Sequence, residues 1–486
     1  MNPPHRPTQE PAVADLISQT PSDADWALAA RYAPVLLFDA VEPFLPSVVG
    51  YTVFRENGPS PSFPRQVGLD EAGQVQATIA IEYAIWWDWD IGHLYELEHV
   101  WVYLDAGGRV VRAEASWHGG YHDMAVKGVL SLSGERLTIY SEPGKHAFAP
   151  TSDWLAARAT TTQKSCARHA GRGGVWITPL FEGVITVKTP QADRLVHTYL
   201  ERLAFEPSYH FSRCFLTPLE ALVPWPALQE WIPRRVGWWV SELERTILSH
   251  ERRFLRIAHR GASDYAPENT LAAIVKAAEC GADMVELDVH ESADGVPVII
   301  HDAELSRTTN GQGLVSRHAM SELKKLDAGN GERIPTLEEA IDCCLEHDLG
   351  LYLEIKSGPV VPALIESIQR RDLYHRTIVC SFRPDWLAQA KKLDPGIVTA
   401  ALFSAVDIDA VGLAQAVGAT YVHLAWERRA SEPHKLLTEA WIDTVRAAGL
   451  GIVCRHEERP SEIAALRQLG VDGICSNAPD LLLPAG

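Results

Sequence analysis

Basic charge is what this sequence is short of. Lysine and arginine number 44 against 63 aspartates and glutamates, a formal net charge of −19 at pH 7. Such a surface has no basic excess with which to hold a nucleic-acid backbone or an anionic bilayer, so neither is expected as a partner. An anionic small molecule stays open, because a metal and a few local cations decide the field inside a pocket. Paired cysteines are also missing. The eight cysteines, at 166, 214, 280, 343, 344, 380, 454 and 475, include no Cys-x-x-Cys. That removes zinc-ribbon and thioredoxin-type spacings, and Cys380, Cys454 and Cys475 sit in apolar runs that suit buried reduced thiols. No apolar run approaches the length of a membrane span. The opening 25 residues, rich in Pro, Thr, Ser and Gln, lack a hydrophobic leader segment. The combination predicts a soluble, cytoplasmic protein with no transmembrane segment; it says nothing of oligomeric state.

What is present divides the chain. Its 486 residues suggest two or three domains, and 46% hydrophobic content is ample for filled cores. Residues 1–24 read as a flexible lead. Residues 25–224 read as a mainly-β, sandwich-like domain, with strands at Val75–Trp87, Glu98–Leu104, Val110–Trp117, Leu137–Tyr140 and Gly183–Val187. Twelve of the fifteen tryptophans precede residue 245, as core more than as a binding platform. Residues 225–253 form an amphipathic helical connector, with Pro233 limiting where a helix can start. From 254 to 486 strands and helices alternate. Eight strands, at 256–260, 284–289, 351–356, 377–381, 398–403, 420–425, 451–455 and 473–476, predict a closed parallel (β/α)8 TIM barrel.

The barrel's first third carries the chemistry. Arg256-Ile257-Ala258-His259-Arg260-Gly261 is followed by Pro267-Glu268-Asn269-Thr270, then Val285-Glu286-Leu287-Asp288-Val289, then Val298-Ile299-Ile300-His301-Asp302. Alternation puts Glu286, Asp288 and His290 on one strand face. Asp294-Gly295 signals a hairpin whose return arm is 297–302, since so short a connection cannot carry a parallel crossover. With that pair as a two-residue turn, Asp288 lies opposite His301. His259, Glu286, Asp288, Glu354 and Ser381 fall late in their strands, at the face where barrels build active sites.

These motifs, continued by Arg307-Thr308-Thr309, Ile334-Pro335-Thr336-Leu337, Leu353-Glu354-Ile355-Lys356 and Ser381-Phe382, resemble the glycerophosphodiester phosphodiesterases over roughly the last half of the chain. The resemblance implies metal-dependent hydrolysis of a small phosphodiester to an alcohol and a phosphomonoester. It implies His259 and His301 as the acid–base pair, a role suited to a group that titrates near working pH. Glu286, Asp288 and Glu354 would be hard oxygen ligands for Mg2+ or Ca2+, with Mn2+ a further candidate. Arg260 and Lys356 would clamp phosphate, Arg455 would add a cation to the pocket wall, and Glu268 and Asn269 would hold the loop. The insertion 304–348 is expected as a mobile rim. Two segments depart from the family pattern, Cys454-Arg455-His456-Glu457 and Ser476-Asn477-Ala478-Pro479-Asp480. They are expected to alter the pocket wall without touching the metal or acid–base groups. Rival readings are a phospholipase-D-like diesterase acting on lysophospholipids and a non-catalytic binding or scaffold protein with a retired barrel.

In the first domain, the run from Asp88 to His99, Asp-Trp-Asp-Ile-Gly-His-Leu-Tyr-Glu-Leu-Glu-His, is similar to a Gly-His-Arg-His-Asp-Trp-Glu motif of necrosis-inducing proteins and related vacuolar-sorting-type domains. That likeness implies His93, Glu96, Glu98 and His118 as ligands of a second divalent metal. The alternative is that Glu96 and Glu98 form the solvated face of an edge strand and His118 a hydrogen-bonded core residue.

Overall fold

The computed structural model describes residues 10–17, 23–70 and 76–483. These form two units: one runs to Lys188 and resumes at Ala192–Leu248, and the other holds Thr189–Gln191 and everything from Ser249 onward. The expected flexible lead falls largely outside the described residues; within them, Val13–Ile17 is a short helix.

The first unit is mainly β. Strands β1 (Val48–Phe54), β2 (Ile79–Trp89), β3 (His93–Leu104) and β4 (Val110–Trp117) pair antiparallel in sequence order. A smaller sheet sets Val35–Phe38 between Arg136–Ser141 and Arg213–Leu216. β3 runs five residues further back than the expected Glu98 start, because the turn at Asp90–Gly92 lets His93 pair at once with the Gly174–Val175 strand. The expected strand at Gly183–Val187 is absent. Gly183 takes φ +74, and the Val184 and Ile185 amides turn back onto the Phe181 carbonyl at 3.0 Å each. Trp86, Trp87 and Trp101 are fully buried, as core residues.

Helix α1 (Trp225–Thr246) sends Trp225, Leu228, Trp231, Ile232, Val236, Val240 and Leu243 into that core, a stripe at helical spacing. Each such side chain contributes about 1.5–3 kcal/mol by leaving water. Pro233 does not set the helix start; it lies inside the helix, and Pro226 occupies the first turn. An interior proline costs about 3 kcal/mol, which one or two of those buried side chains offset. Arg235, also buried on this helix, forks onto Asp88 of β2 at 2.9 and 2.7 Å.

The second unit is a closed parallel barrel. Its strands are β5 (Leu255–His259), β6 (Met284–Glu291), β8 (Gly350–Ile355), β9 (Thr377–Ser381), β10 (Thr399–Phe403), β11 (Tyr421–Ala425), β12 (Gly451–Arg455) and β13 (Gly473–Ser476), with β13 pairing back onto β5. Ile257, Met284, Tyr352, Cys380, Leu402, Tyr421, Val453 and Cys475 form one cluster on the inner face. Strand alternation then aims His259, Glu286, Asp288, Glu354 and Arg455 inward at the C-terminal end.

β7 (Pro297–Ile299) is the antiparallel arm on β6, but its register differs from expectation by one residue. Val289 pairs with Ile299 and Glu291 with Pro297, which sets Asp288 across from Ile300. The loop is three residues, 293–295, with Gly295 at φ +78, and Ser292 bonds Val296 across its base. A left-handed glycine closing a three-residue loop adds one residue to the count that a two-residue turn gives. The insertion 304–348 is more than a rim: Leu305, Val315, Met320, Leu323 and Ile334 pack with Val298 and Ile300 into a core of their own.

The turn after β5 fixes the catalytic end. Gly261 sits at φ +83, and a Cβ there would lie 2.5 Å from the Ala273 Cβ and 2.7 Å from its carbonyl carbon. Gly261→Ala therefore combines left-handed strain with overpacking and is expected to cost about 3 kcal/mol. Urea unfolding of the full chain checks this; a midpoint unchanged from wild type would contradict it.

Candidate active site

Three carboxylates converge where β6 and β8 end. Glu286, Asp288 and Glu354 are buried, and each offers an oxygen within 4.8 Å of the others'. Cations and dipoles surround them. Lys356 Nζ lies 2.8 Å from Glu354 Oε1 and 3.5 Å from Asp288 Oδ1. Arg455 Nη1 donates to Glu354 Oε2 at 2.9 Å. Asn269 Nδ2 donates to Asp288 Oδ2 at 2.8 Å, and the Arg260 amide to Glu286 Oε2 at 2.9 Å. Those last two contacts need unusual backbone: Arg260 and Asn269 take φ of +55 and +59, and the Asn269 amide closes onto the Arg260 carbonyl.

Electrostatically the cluster is under tension. Burial, then the like charges of Asp288 and Glu354, push the Glu286 carboxyl well above its ordinary value. Burial acts the same way on Asp288, but Lys356, His301 and Arg260 outweigh it and hold that carboxyl below the usual range. Glu286 Oε1 and Asp288 Oδ1 are buried without a hydrogen-bond partner, Asp288 Oδ1 having only the 3.5 Å ion pair with Lys356. Orphaned, buried oxygens of this kind are costly unless something cationic takes them up.

The imidazoles flank the carboxylates. His259 is buried, its Nδ1 2.7 Å from Asn477 Oδ1 and its Nε2 without a partner, 4.0 Å from Glu286 Oε2. Burial, with Arg455 and Arg260 adding to it, holds His259 well below the ordinary histidine value, so the ring is neutral. With Nδ1–H donated to the amide oxygen, the bare Nε2 lone pair faces the carboxylates. His301 bonds Asp302 Oδ1 through Nδ1 at 2.5 Å. Arg307 ties this end together by donating to both Asp302 and Glu268, and Glu268 in turn accepts from Arg260 Nη1 at 2.9 Å.

The two segments that depart from the family pattern do touch these groups. Arg455 pairs with Glu354, His456 stacks on His259 with ring centres 5.0 Å apart, and Asn477 holds His259 Nδ1. The expectation that they stay clear of the metal and acid–base groups is wrong. β13 pairs Ser476 with Ala258, so Asn477 follows at the level of His259, and Arg455 closes β12 with its side chain on the inner face. Counting along one strand does not show that.

In the first unit the structure brings together only part of the expected set. His93 Nε2 lies 3.7 Å from both Asp90 Oδ1 and Glu96 Oε2, and ligand atoms of these three residues fall within 4.8 Å of one another. Glu98 and His118 look elsewhere: Glu98 accepts from Ser116, and His118 Nε2 meets Glu142 Oε2 at 2.8 Å. Glu98 is buried and β3 is flanked on both sides, so a solvated edge-strand face is excluded. Burial pushes His93 down to about 4 and Glu98 up to about 7. Lys145 Nζ pairs with Asp90 Oδ1 at 2.9 Å, while Asp90 Oδ2 is buried with no partner. Asp90, inside the quoted run but not among its expected ligands, was missed because its ligand atom enters through the turn and not the strand.

Comparison with known proteins places the barrel. The model of the "Glycerophosphoryl diester phosphodiesterase family" matches residues 259–481. A glycerophosphodiester phosphodiesterase of Caldanaerobacter subterraneus is 34% identical over 241 residues, 47% of this chain and 96% of that protein. Mouse glycerophosphodiester phosphodiesterase 1 is 40% identical over 166 residues, 32% of this chain and 50% of that one. A solved Oleispira antarctica phosphodiesterase, in complex with the product sn-glycerol-3-phosphate, is 33% identical at TM-score 0.42, covering 46% of this chain and 94% of its own. Taken with the converging carboxylates and flanking histidines, the family model and the Caldanaerobacter relative make this chain a member of the glycerophosphodiester phosphodiesterase family, a family of hydrolases.

Proposed function

We propose that the barrel hydrolyses a glycerophosphodiester to an alcohol and a phosphomonoester, with a divalent cation held by Glu286, Asp288 and Glu354. The observation that carries this is the pair of buried oxygens without hydrogen bonds, Glu286 Oε1 and Asp288 Oδ1, within a three-carboxylate cluster. An all-oxygen donor set fits Mg2+, Ca2+ or Mn2+. Such an ion supplies Lewis-acid charge against phosphoryl oxygens.

The chain's own residues do the rest. Arg260, Lys356 and Arg455, whose charges the carboxylates now absorb, are the donors in reach of an anionic phosphoryl group. His259 accepts a proton at its bare Nε2, and His301, oriented by Asp302, serves the other oxygen of the transfer. Asn477 fixes the His259 tautomer, and Glu268 and Arg307 brace the loop that carries Arg260. Either water or a neighbouring substrate hydroxyl fits as the attacking group. Incubating the full chain with several glycerophosphodiesters and Mg2+, Mn2+ or Ca2+ tests the reading. Release of a phosphomonoester is expected; intact diester under every combination overturns it.

A second cation site in the first unit is supported by the 3.7 Å separations around His93 Nε2. They are too long for hydrogen bonds and close to the roughly 3.4 Å between neighbouring ligands of a tetrahedral ion with bonds near 2.1 Å. Here Asp90, His93 and Glu96 would be the ligands. Elemental analysis after dialysis against metal should give two divalent ions per chain. His93→Ala with Glu96→Gln should lose one of them and leave diesterase turnover standing; loss of neither ion would remove the second site.

A further inference from the structure

The two segments that depart from the family pattern meet at one carboxylate. Glu458 lies just past β12, and its Oε2 accepts from His456 Nδ1 at 3.2 Å. Its Oε1 accepts from the amide of Asn477, just past β13, at 2.8 Å, with Ser476 Oγ 3.3 Å away. The strand pairing carries on into these loops, since the Glu457 amide bonds the Cys475 carbonyl at 3.0 Å. Burial acts to raise the Glu458 carboxyl, but the bonds from His456 and the Asn477 amide outweigh it and hold it below the ordinary range.

Both arms of Glu458 end on His259. Asn477 Oδ1 lies 2.7 Å from His259 Nδ1 and holds the ring by its edge. His456 covers a face of the same ring, with centres 5.0 Å apart and planes 18° from parallel. A single bond at the edge leaves an imidazole free to tip about that bond, and a flat neighbour stops the tipping. Among the described residues, His456 makes its one hydrogen bond to Glu458 and not to the three-carboxylate cluster. The circuit from Glu458 through His456, His259 and Asn477 back to Glu458 is therefore closed, and it is anchored outside that cluster.

We propose that His456 and Glu458 are positioning residues of the reaction, with Glu458 carrying both supports of His259, the His456 ring on its face and Asn477 on its edge. The inference rests on the diesterase reading above. A proton-transfer group works only within hydrogen-bond reach of the proton it takes, and a displacement of about 1 Å costs on the order of 10²-fold. This role asks for a flat ring at position 456 and makes no use of its Nε2. That separates it from a third acid–base group.

The test measures kcat and KM of the full chain, with Mg2+, on the ethanolamine, choline and glycerol esters of glycerol 3-phosphate. His456→Gln keeps a donor for Glu458 but removes the ring. It should lower kcat about tenfold while KM changes less than about twofold. His456→Phe keeps the ring and drops the bond, and should hold kcat within about threefold of wild type. Glu458→Ala loosens both supports and should cost more than His456→Gln. Adding His456→Gln to it should cost less than about twofold further, since members of one network do not add. Each kcat is referred to the folded fraction, measured by urea unfolding. An unimpaired His456→Gln, a loss carried by KM, a His456→Phe as slow as His456→Gln, or full additivity in the double variant would each overturn the assignment while the diesterase reading stands. Hydrolysis of none of the three esters by wild type would overturn both.

Discussion

Exhaustive chelation of the full-length protein should abolish diester hydrolysis, and returning Mg2+ or Mn2+ should restore it. The expectation comes from the charge balance at the end of β6. Glu286 and Asp288 lie two residues apart on one inward face, with Glu354 beside them and each buried. Three carboxylates so placed repel one another, and the Glu286 carboxyl is already driven well above its ordinary value by burial and by those neighbours. Lys356, Arg260 and Arg455 relieve the repulsion only in part, since one oxygen each of Glu286 and Asp288 accepts no hydrogen bond. Glu286→Gln or Asp288→Asn keeps the shape and removes the charge. Each is expected to weaken metal affinity and to lower turnover by roughly 10²-fold or more, the scale of losing one electrostatic contact to a developing charge. Full turnover in a chelated sample, its metal content verified as nil, would end the metal mechanism.

His259→Ala and His301→Ala should each cost on the order of 10²–10⁴-fold in kcat, the range for a positioned general acid or base. The rate profile with pH should be bell-shaped in wild type and lose one limb in each variant. Burial, Arg455 and Arg260 hold His259 below the ordinary histidine value. A depressed imidazole stays neutral until pH falls through that lowered value, so the His259 limb lies on the acid side of about 6.5. Kinetics on the purified variants decide this. A His301→Ala profile identical to wild type would mean that His301, which follows β7 one residue off the simple count, is not the second proton-transfer group. Asn477→Ala separates positioning from chemistry. It should lower kcat with little change in KM, because it frees the His259 tautomer without touching the phosphate donors.

The barrel was legible because its strands are short apolar runs at regular spacing, and seven of the eight end within a residue of where the pattern places them. The inward set was legible for the same reason: alternation within one strand is a local rule, so Glu286 and Asp288 declared their shared face. Other motif residues turn out to be structural. Thr336 of the Ile-Pro-Thr-Leu run accepts from the Glu339 amide while Glu339 bonds back to Thr336, a capping box that starts helix Leu337–Glu346. What was not legible is set by contacts between distant strands. Asn477 reaches His259 across 218 residues of sequence, and Arg455 reaches Glu354 across 101. No periodicity encodes such pairs; only closure of the barrel brings β13 beside β5 and lets Arg455 of β12 meet Glu354 of β8 across the interior. The hairpin register failed for a smaller reason, the choice between a two- and a three-residue loop, which Asp294-Gly295 permits equally. In the first unit, alternation along β3 placed Glu96 and Glu98 together, but Tyr95 at φ +58 interrupts the regular strand beside Glu96.

Diffraction from crystals of the full chain soaked in Mn2+, recorded for anomalous signal, tests the central claim most directly. The account expects one peak in the barrel, in contact with oxygens of Glu286, Asp288 and Glu354, and its loss in crystals of Asp288→Asn. Occupied Mn2+ elsewhere, with none among those three carboxylates at a concentration that saturates turnover, would contradict it.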